Sequence, residues 1–347
     1  MNKKIYIGIG VGVVIVIIGF GVVLATKIWD PYWNPFQPNA LNILESSINR
    51  LPDMDYFHSD FNIKIDVADA GESLGLEYKA SMDVDNTSDV PNSETELSIG
   101  ILNKGIKMVL TGDVVELDNI AYFRLRGIPI LLQMQLSNIG INISDYADKW
   151  YRLNPQELGI EIDTSINQEL MEKLTNITDQ YSLIKLVKRL DSEVINDEDT
   201  YHYLFRLKDE EVKKFILGVF NLLDQELGNI NSTPDDMYAE LDEFFKILNP
   251  IEFEVWIGKS THVLYKFRYK KHMDIETLKA QGIDVPAGNT DDIIDINVEL
   301  SLSDINVIKE ISAPEQSENL IDLFMPFFEQ FNVLLDSPEC IEDSCSF

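Results

Sequence analysis

Residues 60–84, Asp-Phe-Asn-Ile-Lys-Ile-Asp-Val-Ala-Asp-Ala-Gly-Glu-Ser-Leu-Gly-Leu-Glu-Tyr-Lys-Ala-Ser-Met-Asp-Val, contain the pattern that decides the fold. Apolar side chains alternate with polar ones on both sides of Gly71, at Phe61, Ile63, Ile65 and Val67 and again at Leu74, Leu76, Tyr78, Ala80, Met82 and Val84. A period of two places one kind of side chain on each face of a β-strand. With a turn at Gly71, the pattern predicts an antiparallel hairpin that has one apolar and one polar face.

The same alternation continues along the chain after this hairpin. Its apolar positions are Leu97, Ile99 and Ile101, then Ile106, Met108, Leu110 and Val114, then Ala121, Phe123 and Leu125. Turn-forming residues separate these runs at 86–92, 103–105 and 118–119. Residues 149–153 add a short strand that ends before Pro155. The first half of the chain therefore predicts an antiparallel meander.

Helical periodicity comes before and after this meander. It predicts helices at Asn39–Leu51, which stops at Pro52, at Ile166–Leu190, from Asp209 to Leu227, from Thr233-Pro234-Asp235-Asp236 through Leu248 and at Leu320–Leu335. Strands return at 251–257, 263–269 and 294–302. This order predicts one α+β domain over residues 39–336, in which a curved antiparallel sheet is covered by helices on one face.

An apolar run precedes the domain. Ile5–Ala25 is 21 residues long without a charge, and such a helix spans about 30 Å, the thickness of a bilayer core. Lys3 and Lys4 place the stub 1–4 in the cytoplasm and the domain outside, as a single-pass protein of the cell membrane. A cleaved signal peptide is the alternative, since residues 23–25 suit a signal peptidase. Residues 26–38 form an aromatic and Pro-rich spacer.

Charge and cysteine content narrow the classes of partner. The chain has 59 Asp and Glu against 28 Lys and Arg, a net charge of −31, which repels nucleic acid. Hydrophobic residues make up 45% of the chain, enough for a large core. The two cysteines, Cys340 and Cys345, lie in a flexible tail at 337–347, and outside the cytoplasm we expect them to form a local disulfide.

No motif of a known catalytic or cofactor site is present. The four histidines, at 58, 202, 262 and 272, lack the spacing of a metal site, and P-loop, GxGxxG and GxSxG motifs are absent from the sequence. Asp83, Asp85, Thr87, Asp89 and Glu94 fit an EF-hand frame, but Ser88 stands where that loop needs glycine. We interpret them as a solvated turn. The sequence therefore predicts no enzyme, no cofactor and no metal site.

Residues 127–143 carry no charge and have no clear period. One interpretation is that this segment lines or gates the mouth of a ligand cavity. Its candidate ligand-binding residues are then Ile128, Ile130, Leu132, Met134, Leu136 and Ile139. The alternative is that these side chains complete the core.

Three short stretches carry a resemblance to a known family. They are Lys149-Trp150-Tyr151-Arg152-Leu153, then Val255-Trp256-Ile257-Gly258-Lys259-Ser260-Thr261, and Leu302-Ser303-Asp304-Ile305-Asn306 with Ile311-Ser312-Ala313-Pro314-Glu315. With the order of elements over residues 40–325, they resemble the LolA-like carriers of lipids and lipoproteins, which include the LppX/LprG lipoproteins. The resemblance implies a half-barrel whose concave apolar face holds acyl chains. The chain lacks the lipid-bearing cysteine of the lipoprotein members.

Two functional hypotheses follow. The first is a membrane-anchored extracytoplasmic protein that binds a lipid, a lipoprotein or its acyl chain in an apolar cavity between sheet and helices. The alternative is a tethered domain of the cell envelope that contacts other envelope proteins and has no small-molecule ligand. The short spacer keeps either kind of domain close to its own membrane.

Overall fold

A computed structural model of the chain describes residues 39–69, 72–88, 90–138, 142–158, 173–174, 176–178, 180–227, 234–274, 277 and 293–320. The fold is built on one large, curved and unclosed sheet. Its strands are β1 Tyr56–Asp69, β2 Glu72–Asp85, β3 Asn92–Asn103, β4 Ile106–Leu117, β5 Ile120–Gly127, β6 Trp150–Leu153, β7 Ile184–Leu190, β8 Val194–Ile195, β9 Glu198–Leu207, β10 Glu252–Gly258, β11 Leu264–Asp274, β12 Ile293–Ser303 and β13 Glu318–Asn319.

The spatial order of the strands joins the two predicted meanders. It runs β13-β6-β5-β4-β3-β2-β1-β12-β11-β10-β9-β7, and β8 pairs with β9. The junction is the antiparallel pair of β1 and β12, in which Ile63 lies opposite Val298 and Ile65 opposite Ile296. These paired strands are antiparallel except for β13, which pairs with β6 in parallel. The predicted antiparallel sheet is therefore confirmed, and a strand from the end of the chain completes one edge.

The longer described α-helices are α1 Ala40–Asn49, α2 Ile130–Asn138, α3 Asp209–Leu227 and α4 Pro234–Leu248, and short 3₁₀ helices lie at Leu51–Asp53, Ile143–Tyr146 and Pro155–Leu158. Asn39 caps the N-terminus of α1, since its side chain accepts a hydrogen bond from the backbone N–H of Leu41 at 3.0 Å. It ends before Pro52, as the sequence predicts. Apolar faces of α1, α3 and α4 share one core with β1, β7 and β9–β12. These helices therefore cover one part of the sheet.

The prediction of a single helix over Ile166–Leu190 is wrong at its C-terminal end. Residues 173–174 and 176–178 are helical, but Ile184–Leu190 forms strand β7 at the sheet edge. There it pairs with β9, with a bulge between Leu186 and Lys188. An apolar residue at every third position imitates a helix face, and only pairing with a distant strand decides the conformation of such a segment.

Several predictions fall outside the described residues. They concern the stub, the anchor at Ile5–Ala25, the spacer, Ile139, the part of the predicted closing helix after Leu320, and the tail with Cys340 and Cys345. In the ranges that the structure describes, no helix has both the length and the apolar character needed to cross a bilayer.

Candidate functional site

The inward-facing side chains of β2, β3 and β4 form a continuous apolar surface. Strand pairing places partner residues side by side on one face, so the register defines rows that cross the sheet. One row contains Ile65, Leu76, Ile101 and Met108, and the next contains Ile63, Tyr78, Ile99 and Leu110. We call this surface the open apolar face and define it as Leu76, Tyr78, Leu97, Ile99, Ile101, Ile106, Met108 and Leu110.

The exposure of these rows rises sharply from one strand to the next. In the first row Ile65 is 6% exposed, whereas Leu76 is 41% and Ile101 is 40% exposed. Neighbouring strands lie about 4.8 Å apart, so the inward side chains change from buried to partly exposed over that distance. Across the second row, exposure rises from 5% at Ile63 to 38% at Ile99. The same kind of side chain is thus core at β1 and partly open to solvent at β2 and β3.

The helices explain where this change occurs. Helices α1, α3 and α4 pack over β1 and β9–β12, where Phe253 contacts Phe205 and Phe267 at ring distances of 5.9 and 5.4 Å. At the border, Phe61 of β1 meets Tyr78 of β2 edge to face at 6.0 Å. Burial raises the pKa of Tyr78. Beyond this ring pair, the described helices no longer cover the apolar side chains of the sheet.

The open apolar face is a contiguous patch and not a set of scattered residues. One inward side chain occupies about 32 Å² of sheet, the product of the strand spacing and two residue rises, so eight cover about 250 Å². Scattered exposed apolar residues need no explanation, whereas the largest contiguous apolar patch on a monomer, typically about 300–600 Å², is often functional. The open apolar face is therefore our candidate site.

The opposite face of the same strands is charged. Glu77 of β2 forms ion pairs with Lys79 at 2.8 Å and with Lys107 at 3.2 Å. Hydrogen bonds from both lysines outweigh the effect of burial and lower the pKa of Glu77. Buried Asp113 of β4 likewise pairs with Arg124 at 2.6 Å and Arg126 at 2.9 Å. The two faces of this half of the sheet therefore differ in chemistry, and only the open apolar face suits an apolar ligand.

The uncharged segment predicted to bind a ligand lies next to the open apolar face in the chain. Strand β5 ends at Gly127, opposite Thr111 of β4, and α2 follows from Ile130. Within α2, Ile130 is 73% and Met134 is 60% exposed, while Ile128, Leu132 and Leu136 are half-buried. Ile130 and Met134 therefore do not belong to the buried core. Ligand binding by this segment stays a prediction.

The polar residues singled out in the sequence have structural partners. Thr87 donates hydrogen bonds from its backbone N–H and its hydroxyl to Asp85, at 2.9 and 2.6 Å, which closes the predicted turn. His58 lies 2.9 Å from Asp83, which also pairs with Lys309. Burial lowers the pKa of His58, but the hydrogen bonds and charges of Asp83 and Asp60 together outweigh this effect and raise the pKa. No cluster of three or more metal-ligating side chains occurs among the residues that the structure describes.

A second concave region lies where the segment after β12 crosses the sheet. Its volume is about 210 Å³, and its lining includes His58, Asp83, Val307, Ile308 and Lys309. Asn306 fixes this segment, because its backbone N–H donates to Tyr56 at 2.7 Å and its side chain accepts from Asp55 at 3.1 Å. Asp83 pairs with both His58 and Lys309 here, so these three charged groups have partners within the protein.

Sequence reasoning assigned the apolar positions of β2–β4 correctly but could not assign their exposure. Leu76, Ile99 and Ile101 have the same alternation as Ile63 and Ile65, and nothing in the local pattern separates them. The number of predicted elements could have indicated this exposure, because the strands with an apolar face outnumber the amphipathic helices that could cover them.

Comparisons with known proteins add little. Neither a protein-family model nor a curated protein matches the chain. Among solved structures, lipoprotein LppX of Mycobacterium tuberculosis is similar over 78% of this chain and 97% of its own, with 11% identity and a TM-score of 0.32. A DUF1329 family protein from Desulfovibrio piger is similar over 76% and 90%, with 10% identity and a TM-score of 0.18. At these TM-scores neither likeness supports a conclusion about this chain.

Proposed function

We propose that this protein is a membrane-anchored, extracytoplasmic binding protein that holds a lipid or acyl chain on its open apolar face. The observation that carries the proposal is the rise in exposure along the rows of the sheet, from 5–6% at Ile63 and Ile65 to about 40% at Leu76, Ile99 and Ile101. The proposal assigns binding and no catalysis.

The chemistry of the open apolar face favours an acyl chain over other ligands. Seven of its eight residues are aliphatic or Met, and Tyr78 supplies its only side-chain polar atom. A polar ligand would lose its hydrogen bonds to water and gain almost none, which costs free energy. A flexible hydrocarbon chain loses no such bonds and needs no directional partner.

The energy of one-sided contact limits how tightly the open apolar face can bind. Full burial of a CH₂ group is worth about 0.8 kcal/mol, so a chain covered on one side only gains about 0.4 kcal/mol per group. Twelve such groups would gain about 5 kcal/mol, barely more than the cost of association, which is at least about 4 kcal/mol. Useful affinity therefore requires a second apolar surface over the ligand.

The predicted anchor sets the cellular setting of this function. The spacer at 26–38 reaches at most about 45 Å when extended, so the domain works beside its own membrane. We therefore propose a fixed acceptor or local chaperone for lipid at the cell membrane, and not a diffusing shuttle.

The test is direct detection of the ligand. Residues 28–347 are released from purified membranes by a protease site placed after Lys27, and native mass spectrometry then records bound lipid. We expect one or more lipids to accompany the domain and a fluorescent fatty acid to displace them. A domain that carries no lipid and takes up no fatty acid would refute the proposal and leave the envelope-interaction hypothesis.

A further inference from the structure

We infer that the free edge of strand β7 binds an extended acidic segment of a partner protein, which joins the sheet as an additional strand. Five strands separate β7 from β2, the first strand of the open apolar face. At about 4.8 Å per strand spacing, the two surfaces lie about 29 Å apart along the sheet. This interaction is therefore separate from the proposed binding of lipid.

The backbone of β7 carries hydrogen-bonding groups that no described strand uses. The strand is last in the order of the sheet, and β9 is its partner among the described strands. The backbone N–H of Lys208, directly after β9, donates to the carbonyl oxygen of Leu183 at 2.8 Å. Backbone groups alternate in direction along an antiparallel pair, so those of Lys185 also face β9. Those of Ile184 and Leu186 therefore point away from β9, toward the free edge.

The side chains of β7 are open to solvent and differ between its two faces. Residues 185–189 are all exposed. By register, Leu186 lies beside buried Phe205 on the inward face and keeps 37% of its surface exposed, whereas Lys185 and Lys188 lie on the outer face. An added strand gains affinity from its backbone and specificity from alternate side chains. A segment with apolar residues on one face and acidic residues on the other matches this edge.

Positive charge is concentrated in β7. Its seven residues include Lys185, Lys188 and Arg189 and no acidic residue, although the whole chain has a net charge of −31. In the part of the chain that the structure describes, no carboxylate lies within ion-pair distance of Lys185 or Lys188. The edge therefore attracts a segment of opposite charge.

The acidic side chains on the outer face of β10 already have partners. Glu252 accepts a hydrogen bond from Arg206 at 2.8 Å, and Glu254 accepts one from Arg268 at 2.9 Å. Neither carboxylate is thus available to neutralise the two lysines of β7. A carboxylate from another protein supplies what the sheet itself does not.

The same charges exclude a second copy of this chain as the occupant. Two copies joined at β7 about a two-fold axis would place the lysines of one copy beside those of the other, and like charges on facing strands are destabilising. Lysines and a bulge, such as the one between Leu186 and Lys188, also prevent sheets from joining at random. The edge therefore selects an acidic partner strand.

Peptide binding to the full chain in detergent micelles tests the inference. The probe is a fluorescently labelled peptide, Thr-Glu-Val-Glu-Val-Asp-Thr, whose acidic residues and valines lie on opposite faces of a strand. The matched control, Thr-Glu-Pro-Glu-Pro-Asp-Thr, has the same charge, but proline lacks the backbone N–H that pairing requires. We expect anisotropy titrations at about 0.15 M salt to show at least about tenfold tighter binding of the valine peptide.

Two variants at Leu186 test the backbone pairing. Leu186→Pro removes an N–H that faces the free edge, and proline is tolerated there because that N–H takes no part in pairing with β9. We expect it to bind the valine peptide about tenfold more weakly. Leu186→Ala keeps this N–H, so its affinity should change less than about threefold. Circular dichroism and thermal unfolding establish that both variants are folded.

Charge reversal tests the attraction without changing the backbone. We expect Lys185→Glu combined with Lys188→Glu to weaken binding of the valine peptide at least about tenfold. The matched control combines Lys104→Glu with Lys107→Glu at the distant β3–β4 hairpin, which changes the net charge equally. This control should change the affinity less than about threefold, because its charges lie more than a Debye length from β7.

The outcomes decide between three kinds of edge. Equal binding of the two peptides overturns the inference. Loss of affinity on lysine reversal without any effect of Leu186→Pro also overturns it, because the peptide is then held by surface charge and not as a strand. If native mass spectrometry shows dimers of the full chain that Leu186→Pro dissociates, the edge binds a second copy and the inference fails. Uptake of a fluorescent fatty acid, which tests the proposed function, should be the same in all these variants.

Discussion

Replacement of Leu76, Ile99 and Ile101 by serine tests the open apolar face most directly. These side chains are 41%, 38% and 40% exposed, so each keeps about two fifths of its surface for a ligand. Full burial of Leu or Ile is worth about 1.5–3 kcal/mol, so the remaining part is worth about 0.6–1.2 kcal/mol per residue. The three losses sum to about 2–3.5 kcal/mol, which weakens binding about 30- to 300-fold.

The assay is a titration of the full chain with a fluorescent fatty acid. The control replaces three exposed apolar residues that lie away from the open apolar face, Val109, Val187 and Val194, which are 36%, 40% and 67% exposed. Circular dichroism and thermal unfolding establish that both variants are folded. We expect only the first variant to lose affinity. If both variants bind as the unmodified chain does, or if both lose affinity equally, the ligand does not lie on the open apolar face.

Three further predictions concern the part of the sheet that the helices cover. Asn39→Ala removes the cap of α1, and we expect a loss of about 0.5–2 kcal/mol in the free energy of unfolding, measured with urea. Burial would raise the pKa of Glu198, but hydrogen bonds from Ser260 and Thr261 lower it to about 2. Its stabilisation is therefore present above about pH 4.5 and lost as the pH falls toward 2, and Glu198→Gln should flatten this part of the stability–pH curve. Lys213, 4% exposed, pairs with Glu210 and Asp242 at 2.8 Å, so Lys213→Ala should cost about 1–3 kcal/mol, whereas exposed Lys214→Ala should cost little.

The local pattern of the sequence was sufficient for most strands and helices. Alternation at Phe61–Val67 and Leu74–Val84 matched the β1–β2 hairpin, because the pleat of a strand imposes a period of two wherever one face is apolar. Pro52 and Pro234 marked helix boundaries because proline lacks a backbone N–H. Failure came at Ile184–Leu190, where pairing with β9 outweighs an accidental helical period.

The sequence by itself determined the alternation of the strands, the strong acidity and the apolar run at Ile5–Ala25, because each is a property of neighbouring residues. Only the tertiary structure decided that Ile65 is core while Leu76, its partner in the next strand, is open to solvent. The physical reason is that burial depends on what packs against a face. Helices α1, α3 and α4 share one core with β1 and β12, two paired strands that lie more than 200 residues apart in the chain. No local pattern encodes a contact over that distance, so the candidate site became visible only in the assembled sheet.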